Sequence, residues 1–368
     1  MVTSSFLPGR GGIESHLAAV CDDLKPDLAV MAQSRRDGKP IPPDLGYETV
    51  GYPGPLFAPT PRAVQAVTAA ARKLGVRKVL FGTPWPTGLI APSLRDRGIT
   101  YATLVHGSEF AVPVRTPIAG RRLEAMLAGA DVIFPVSRFT EAAVQQRLRR
   151  RNLRVPGLHL LRPRVDLARF HPTDEAHGLR ARLGLTGNKI ILCFGRLVRR
   201  KGTHLVVRAM AEIRNQVPEA VLVVAGTGPE SRPLQRLAAR LKVPVLFAGR
   251  VPEGEAAAYY SMADVFCLAA YDRYGGLDTE GLGVVLLEAQ ACGTPCVAGR
   301  AGGTPEAVLH DETGFAVDAR DPAELTTALL RLLTDGDLSS RMAASGRRFV
   351  EKEYGNRRIP DALITWLG

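Results

Sequence analysis

"KIILCFGRLVRRKGTHLVVRAM", residues 189–210, decides the fold. Ile190 to Phe194 form an apolar run without a charge, the pattern of a strand buried on both faces. The run ends at Gly195 and Arg196, and after Lys201 the spacing predicts a helix beginning near Thr203. A strand that feeds a helix in this way is half of a parallel crossover unit. Two cations beside a helix N-terminus, at a strand's carboxyl end, also make an anion site. Arginine grips phosphate oxygens bidentately and lysine adds a point charge. A solvated basic loop is the alternative.

Outward from this unit the alternation repeats. "DLAVMA" (27–32), "KVLFG" (78–82), "YATLVHG" (101–107) and "DVIFPVS" (131–137) read as buried parallel strands before it. "AVLVVAG" (220–226), "PVLFAG" (244–249), "DVFCLAA" (264–270) and "PCVAG" (295–299) continue the series after it. Amphipathic stretches such as "RAVQAVTAAARKLG" and "FTEAAVQQRLRRR" separate the strands. The fold class is therefore α/β, with two Rossmann-like, doubly wound parallel-sheet domains. A length of 368 residues fits two cores of similar size. The boundary is expected in "LRPRVDLARFHPTDEAHG" (161–178), where proline and charge break the periodicity. The tail reads as a helix, a break at Pro360, and a short apolar helix.

Composition narrows the class. Hydrophobic residues at 46% and charged residues at 23% are values of a globular protein. No apolar run reaches the roughly 18–20 residues needed to cross a bilayer. "MVTSSFLPGRGG" lacks a basic n-region and a long h-region, so a cytoplasmic protein is expected. Cys21, Cys193, Cys267, Cys292 and Cys296 are odd in number and read as buried free thiols. "CGTPC" has no second pair of ligands near it and makes a poor zinc site. Residues 1–172 hold 24 Lys and Arg against 13 Asp and Glu, a net +11 out of the chain's +12. A basic first half suggests an anionic partner: a phosphorylated ligand, an anionic membrane surface or nucleic acid. Aromatics are 6% and do not interleave with the arginines, so stacking platforms for nucleic acid are lacking and none is expected as a partner.

Three further stretches carry chemistry. "GRGGIESHL" (9–17) opens a helix with paired glycines, which let backbone N–H groups approach a phosphate; a mere tight turn is the alternative. "VVAGTGPESRPL" (223–234) has Ser231 where G-x-G-x-x-G would end, which argues against a nicotinamide oxidoreductase. "GGLDTEGLGVVLLEAQACGTPCVAG" (275–299) sets Glu280 and Glu288 eight residues apart, read as two turns of one helical face. At 1.5 Å per residue they stand over ~10 Å apart, too far to share a proton but placed to hold two ends of an elongated ligand. His-x-x-x-His does not occur, and the one D-x-D, Asp335 to Asp337, lies some fifty residues beyond these carboxylates, so a divalent metal has no obvious cage. A phosphate site plus two carboxylates that accept hydroxyls describes a sugar-nucleotide pocket.

The chain resembles the GT-B fold glycosyltransferases of family 4, retaining enzymes with an E-x7-E motif, here Glu280-x7-Glu288. "GGI", "HG" after a strand, "VSRFT", "GRLVRRKG", "GTGP" and "GLDTEGLGVVLLEAQACGTPCVAG…GGTPEAV" recur in order over essentially the whole length. "GGLDTEGLG" is most similar to the phosphatidylinositol-mannoside mannosyltransferases of actinobacteria. The resemblance implies an acceptor-binding domain over 1–165, to which a C-terminal helix at about 350–368 crosses back. It implies a nucleotide-sugar domain over 173–350. Gly11 and Gly12 would face the donor phosphate, and His106 would line the acceptor side. Arg196 and Lys201 would bind the diphosphate, with the base near Arg250 and Val251. Glu280, with Gly281, Leu282 and Gly283, would bind the hexose, and Glu288 the ribose. His106, Arg196, Lys201 and Glu280 would be the catalytic set. The implied reaction transfers a hexose with retention, mannose from GDP-mannose foremost, with no metal or cofactor. The acceptor would be a phosphoinositol lipid at the inner membrane face. A UDP-sugar passed to a soluble inositol or aminocyclitol is the alternative.

Three departures stand out. Met1 starts almost on the first motif, so the first strand is displaced or shortened. Arg164 replaces the glycine of the interdomain P-x-G-V-D, which disfavours a left-handed backbone there. Ala269 and Tyr271 replace a proline and an arginine before the glycines, while Arg273 is kept. For membrane docking, "RLRRRNLR" (147–154) and "RTPIAGRRLEAML" (115–127) are the candidates, with Arg121 and Arg122 beside Leu123, Met126 and Leu127 suggesting an interfacial helix. Ordinary solvated faces are the alternative.

Overall fold

The computed structural model describes residues 1–9, 11–36, 39–52, 58–107, 117–355 and 359–368. Arg10 and Arg115, parts of two candidate stretches, lie outside them. The chain divides into two compact units, Met1–Arg164 with Arg357–Gly368, and Val165–Asn356.

The first unit contains β1 (Ala29–Gln33), β4 (Glu48–Tyr52), β5 (Lys78–Phe81), β6 (Thr100–Val105), β7 (Val132–Pro135) and β8 (Gly157–Leu158). A short antiparallel pair, β2 (Arg35–Arg36) and β3 (Lys39–Pro40), stands apart. β1 pairs with β4, and β5 through β8 pair in series, all parallel. Val2 closes the gap, bridging Met31 on one side and Phe81 on the other. Val2 N–H donates to Leu80 O at 2.8 Å and Thr3 N–H to Met31 O at 3.0 Å. At this position a single residue, Val2, is bridged on both sides. Counted from Val2, the spatial order is 3-2-1-4-5-6-7, a Rossmann order whose switch point lies between Val2 and β5.

Five helices connect these strands: α1 (Gly12–Leu24), α2 (Pro61–Lys73), α3 (Ala91–Arg95), α4 (Pro117–Ala128) and α5 (Arg138–Arg150). Ser137 and Thr140 form a capping box at α5, so the "VSRFT" motif starts a helix. The apolar face of α4 corrects the interfacial-helix expectation: Leu123, Met126 and Leu127 are core residues, spent on packing inside the unit. Ile118, Arg121 and Arg122 remain exposed. Glu124, buried on the same helix, takes Arg147 at 2.6 Å and Arg151 at 3.4 Å, so part of the arginine run neutralises an internal carboxylate. Arg164 pairs with Asp23 at 3.5 Å and is absent from the positive-φ residues. Among the described residues no helix is long and apolar enough to cross a membrane.

In the second unit six parallel strands run β9 (Lys189–Phe194), β10 (Ala220–Ala225), β11 (Val245–Gly249), β12 (Val265–Leu268), β13 (Cys296–Gly299) and β14 (Gly314–Val317). Their spatial order is β11-β10-β9-β12-β13-β14, again 3-2-1-4-5-6, and the switch point lies between β9 and β12. Side chains alternate between two cores. Ile190, Leu192, Val223 and Phe266 face one, with α6 (Glu175–Arg182), α9 (Ala256–Ser261) and α10 (Val284–Ala291). Ile191, Cys193, Val224 and Cys267 face the other, with α7 (Thr203–Gln216), α8 (Ser231–Leu241) and α12 (Pro322–Thr334). Period-2 burial on both faces explains why the strands read as unbroken apolar runs. The short α11 (Thr304–Ala307) and the long α13 (Gly336–Glu353) complete this unit. After Pro360 the chain forms α14 (Asp361–Leu367), which belongs to the first unit: Leu363 is fully buried there and Trp366 Nε1 donates to Asp131 at 3.0 Å. All five cysteines are free and buried.

Candidate active site

The chemistry of the second unit gathers at its switch point, where the loops after β9 and β12 meet. Three glycine positions explain the approach. Gly202, at φ +70°, lets the end of the β9 loop lie on Ala269 O; a Cβ there would collide with that backbone atom. Gly302, at φ +55°, and Gly303 sit against the carbonyls of Glu280 and Gly281, and Gly303 N–H donates to Glu280 O at 2.9 Å. The "GGTPEAV" motif therefore seats the loop that carries Glu280. The "GTGP" glycines 226 and 228 do the same for the β9 loop, touching the carbonyls of Gly195 and Leu197. Ser231, in the missing-glycine position, closes that turn with two hydrogen bonds to the Gly228 main chain, at 2.8 and 3.1 Å.

Within this frame Lys201 Nζ stands 3.7 Å from Glu280 Oε1, and Arg200 Nη2 3.4 Å from Glu280 Oε2. Both cations and the carboxylate are largely buried. Glu280 Oε2 is buried without a hydrogen bond among the described residues, so Arg200 compensates it as a charged neighbour and leaves its hydrogen-bonding capacity unused. Lys201 Nζ also lies 3.7 Å from where a Gly195 side chain would begin, an ordinary contact, so it is the backbone at φ +129° that favours glycine there. Arg196 is exposed on the same loop. Arg250 and Val251 follow β11, two strands from the switch point on the sheet edge, Arg250 exposed and Val251 partly buried.

Glu280 is not helical. α10 begins at Val284, behind the left-handed Gly283 at φ +87°, so the spacing of eight is four residues of loop plus one turn of helix. The expectation of two carboxylates on one helical face, over ~10 Å apart, is corrected accordingly: a loop residue has no fixed rise per residue. Glu288, inside α10, accepts from the Tyr260 hydroxyl at 2.6 Å. Burial pushes its carboxyl above the usual range, while the Tyr260 hydrogen bond and Arg169 pull it down. Leu282 is buried; Gly281 stands between it and Glu280.

The carboxyl ends of the first unit carry different groups. Gly11 is the N-cap of α1, with an extended backbone at φ 178°. Glu14 Oε2 would lie 2.6 Å from a Gly11 side chain, so this helix start, Gly12 included, holds a carboxylate of its own. His106, just past β6, and His16, on α1, are both buried, with His16 Nδ1 3.2 Å from His106 Nε2 and the rings edge-to-face at 5.3 Å. Burial and the neighbouring His106 drive His16 well below the ordinary histidine range, so it is neutral. Among the described residues no group of three His, Cys, Asp or Glu side chains is arranged to hold a metal ion.

Sequence reasoning missed Arg200, Tyr260, Asp278 and the seat made by Gly302 and Gly303. Arg200 was hidden in a run of three cations, where composition alone does not say which side chain turns inward. Tyr260 lies in a fully buried position of α9 that looks like any core aromatic.

Comparison with known proteins places this architecture. Residues 178–349 match the family described as glycosyl transferases group 1. A protein of Mycolicibacterium smegmatis named GDP-mannose-dependent alpha-(1-6)-phosphatidylinositol monomannoside mannosyltransferase is 36% identical over 359 residues, 95% of this chain and 93% of that one. A protein of Corynebacterium glutamicum, named GDP-mannose-dependent monoacylated alpha-(1-6)-phosphatidylinositol monomannoside mannosyltransferase, is 32% identical over 361 residues, 96% and 93% of the two chains. Among solved structures, the sucrose-phosphate synthase of Thermosynechococcus elongatus superimposes with a TM-score of 0.79 at 24% identity, over 96% of this chain and 94% of that one, which shows the shared GT-B fold. With full-length relatives above 30% identity and a matching domain around its switch-point site, the chain belongs to the group 1 glycosyltransferases.

Proposed function

We propose that this glycosyltransferase moves a mannosyl group from GDP-mannose to a hydroxyl of a phosphatidylinositol mannoside, with retention at the anomeric carbon and without a divalent metal. The observation that carries the reading is the 36% identity, over 95% of the chain, to a protein named for that donor and that class of acceptor. The geometry supports it. A diphosphate meeting the β9 loop finds Lys201 and Arg196 beside the N-terminus of α7, which carries partial positive charge. The hexose belongs at Glu280, whose Oε2 carries no hydrogen bond among the described residues and whose carboxylate accepts a sugar hydroxyl. Glu288, steadied by Tyr260, offers its carboxylate to the ribose hydroxyls. Arg250 and Val251 flank the base.

Departure of the diphosphate builds negative charge on its oxygens as the sugar bond stretches. Lys201 and Arg196 neutralise that charge from fixed positions, the largest available lever on the barrier. The leaving oxygen takes the proton of the incoming hydroxyl on the same face of the ring, which yields retention. His106 lines the acceptor side, neutral His16 behind it. The acceptor's lipid places the reaction at an anionic membrane surface. There the exposed Arg121, Arg122, Arg149 and Arg150 of the first unit contribute about 1 kcal/mol each.

Turnover with GDP-mannose and phosphatidylinositol monomannoside, followed by assignment of the new linkage by NMR, tests this. An α-mannoside whose formation persists in EDTA is the expected result. Turnover of UDP-glucose or UDP-N-acetylglucosamine in its place overturns the donor, a β-linkage overturns retention, and loss in EDTA overturns metal independence.

A further inference from the structure

We propose that Arg200 is a positioning residue that sets the Glu280 carboxylate against the sugar ring. The "GLD" of the 275–280 loop serves the same end, with Asp278 clipping Arg200 in place. This rests on the reading of Glu280 as the hexose ligand.

Arg200 is braced at Nε, at Nη2 and at its main-chain carbonyl. Its Nε donates to Thr279 O at 3.2 Å and lies 3.7 Å from Asp278 Oδ1; its Nη2 reaches Glu280 Oε2 at 3.4 Å. Its own carbonyl accepts from Tyr271 N–H at 3.0 Å. One arginine thus ties the loop after β9 to both ends of the loop after β12, the two that flank the switch point. Asp278 is gripped from the far side by Arg273 Nη1 at 3.2 Å, and the two residues pair through their main chains at 3.0 and 3.2 Å. Thr279 donates its hydroxyl to Asp272, closing the loop on itself. Tyr274, at φ 52°, and Gly275 and Gly276 form its exposed tip.

The charges explain the need for such a clip. Arg200, Lys201 and Arg273 face Asp272, Asp278 and Glu280, three against three. Remove Arg200, and Asp278 and Glu280 become neighbouring carboxylates with one cation fewer between them, so Glu280 swings away from its fellow. Lys201 does not replace the brace: it meets Oε1 alone and is needed at the phosphate. A guanidinium spans Thr279 O, Asp278 and Glu280 together because its donors form a rigid fork, which an ammonium lacks. Displacing a contact by about 1 Å costs up to 10²-fold in rate.

The test compares Arg200→Ala, Arg200→Lys, Asp278→Asn, Glu280→Gln and the double variant Arg200→Ala/Glu280→Gln. GDP binding is read by calorimetry, and kcat and KM are taken with whichever nucleotide sugar the wild-type enzyme turns over. A wrong donor assignment shows in the wild type alone and leaves this comparison intact. Expected are GDP affinity within about threefold of wild type for Arg200→Ala, kcat down roughly 10–100-fold, and partial recovery in Arg200→Lys. Arg200→Ala should add little once Glu280 is already Gln, because one acts through the other. Fully additive losses, or a fall in GDP affinity as large as the fall in kcat, overturn the proposal: Arg200 would then hold the phosphate or act alone. If Arg200→Ala unfolds, Asp278→Asn carries the same comparison.

Discussion

In Val165–Asn356 the strand ends at the switch point hold Arg200, Lys201 and Glu280, charged groups 3.4 and 3.7 Å apart. In the other unit, whose strands follow the same order, the strand ends hold His16 and His106, a buried pair 3.2 Å apart of which His16 is kept neutral. One topology therefore serves two chemistries. The loops of the second unit are packed backbone on backbone through glycines, and can hold like and unlike charges at fixed distances. The first unit sets a buried imidazole pair at the corresponding place, its rings meeting edge-to-face.

The sharpest way to break that contrast is to remove its charge. Lys201→Ala or Arg196→Ala should lower turnover about 10²–10³-fold, the cost of losing one donor aimed at developing charge, with the melting temperature nearly unchanged. His106→Ala should cost less, since the side chain is not one of the two cations proposed to face the leaving group. Steady-state kinetics beside a thermal melt decide it; full turnover in Lys201→Ala would end the assignment.

Backbone packing is the next lever. Gly202→Ala places a side chain against Ala269 O at a left-handed φ and should destabilise by roughly 3 kcal/mol. Gly275→Ala, at φ +66° but with open space around it, should cost only the conformational part, about 1 kcal/mol. Gly11→Ala meets only the carboxylate end of the buried Glu14 side chain, no backbone atom, at an ordinary φ, and should cost less than Gly202→Ala. Urea denaturation of the three ranks them. Equal losses at 202 and 11 would mean that both units depend alike on close backbone approach.

These glycines also show how far the sequence could be read. Five of the second unit's six strands were legible because each alternates into two cores and leaves no polar break. β4 and β14 were not: "ETVGY" is half exposed, and "GFAV" is a short run that opens on a glycine. At Val2 the sequence suggested only a displaced or shortened first strand: one residue has no periodicity, and its hydrogen bonds on both sides make it a strand. In the site, Lys201 and Glu280 could be placed by chemistry and resemblance. The loop conformation of Glu280 could not, since the left-handed Gly283 that delays the helix looks like any glycine in sequence. Arg199, Arg200 and Lys201 are adjacent cations, yet Arg199 turns to Glu230 while Arg200 and Lys201 take different oxygens of Glu280; only the 3-10 turn they occupy separates them.

Acid should separate the units more gently. His204, on α7, is lowered to about 4, first by burial and then by Arg199, with Arg208 and Arg273 adding and Glu230 opposing. An unfolded histidine titrates near 6.5. Its folded pKa is depressed, so the unfolded chain takes the proton first. The stability it supports is whole above about pH 6.5 and is lost as pH falls toward 4. His16 is depressed as well, by burial first and His106 second, so it loses stability in the same direction as pH falls. Urea midpoints at pH 7, 5.5 and 4 should fall less steeply with acid in His204→Asn and in His16→Asn than in the wild type. An unchanged slope in both variants would place the acid lability elsewhere.

The smallest expected effect concerns the membrane, and here the contrast lies within one helix. On α5, Arg147 is committed to buried Glu124, and Arg151 just past the helix shares that carboxylate, while Arg149 and Arg150 face solvent. An arginine near an anionic surface is worth about 1 kcal/mol, so Arg150→Ala should weaken binding to phosphatidylserine vesicles about fivefold and leave the melt unchanged. Arg147→Ala should do the reverse, because it strands a buried carboxylate and takes from the membrane only a charge already neutralised. Raising salt must weaken vesicle binding of the wild type by shortening the screening length. If Arg147→Ala weakens vesicle binding as much as Arg150→Ala does, the arginines act through the fold and not at the lipid surface. The basic excess of the first unit would then be a matter of internal pairing.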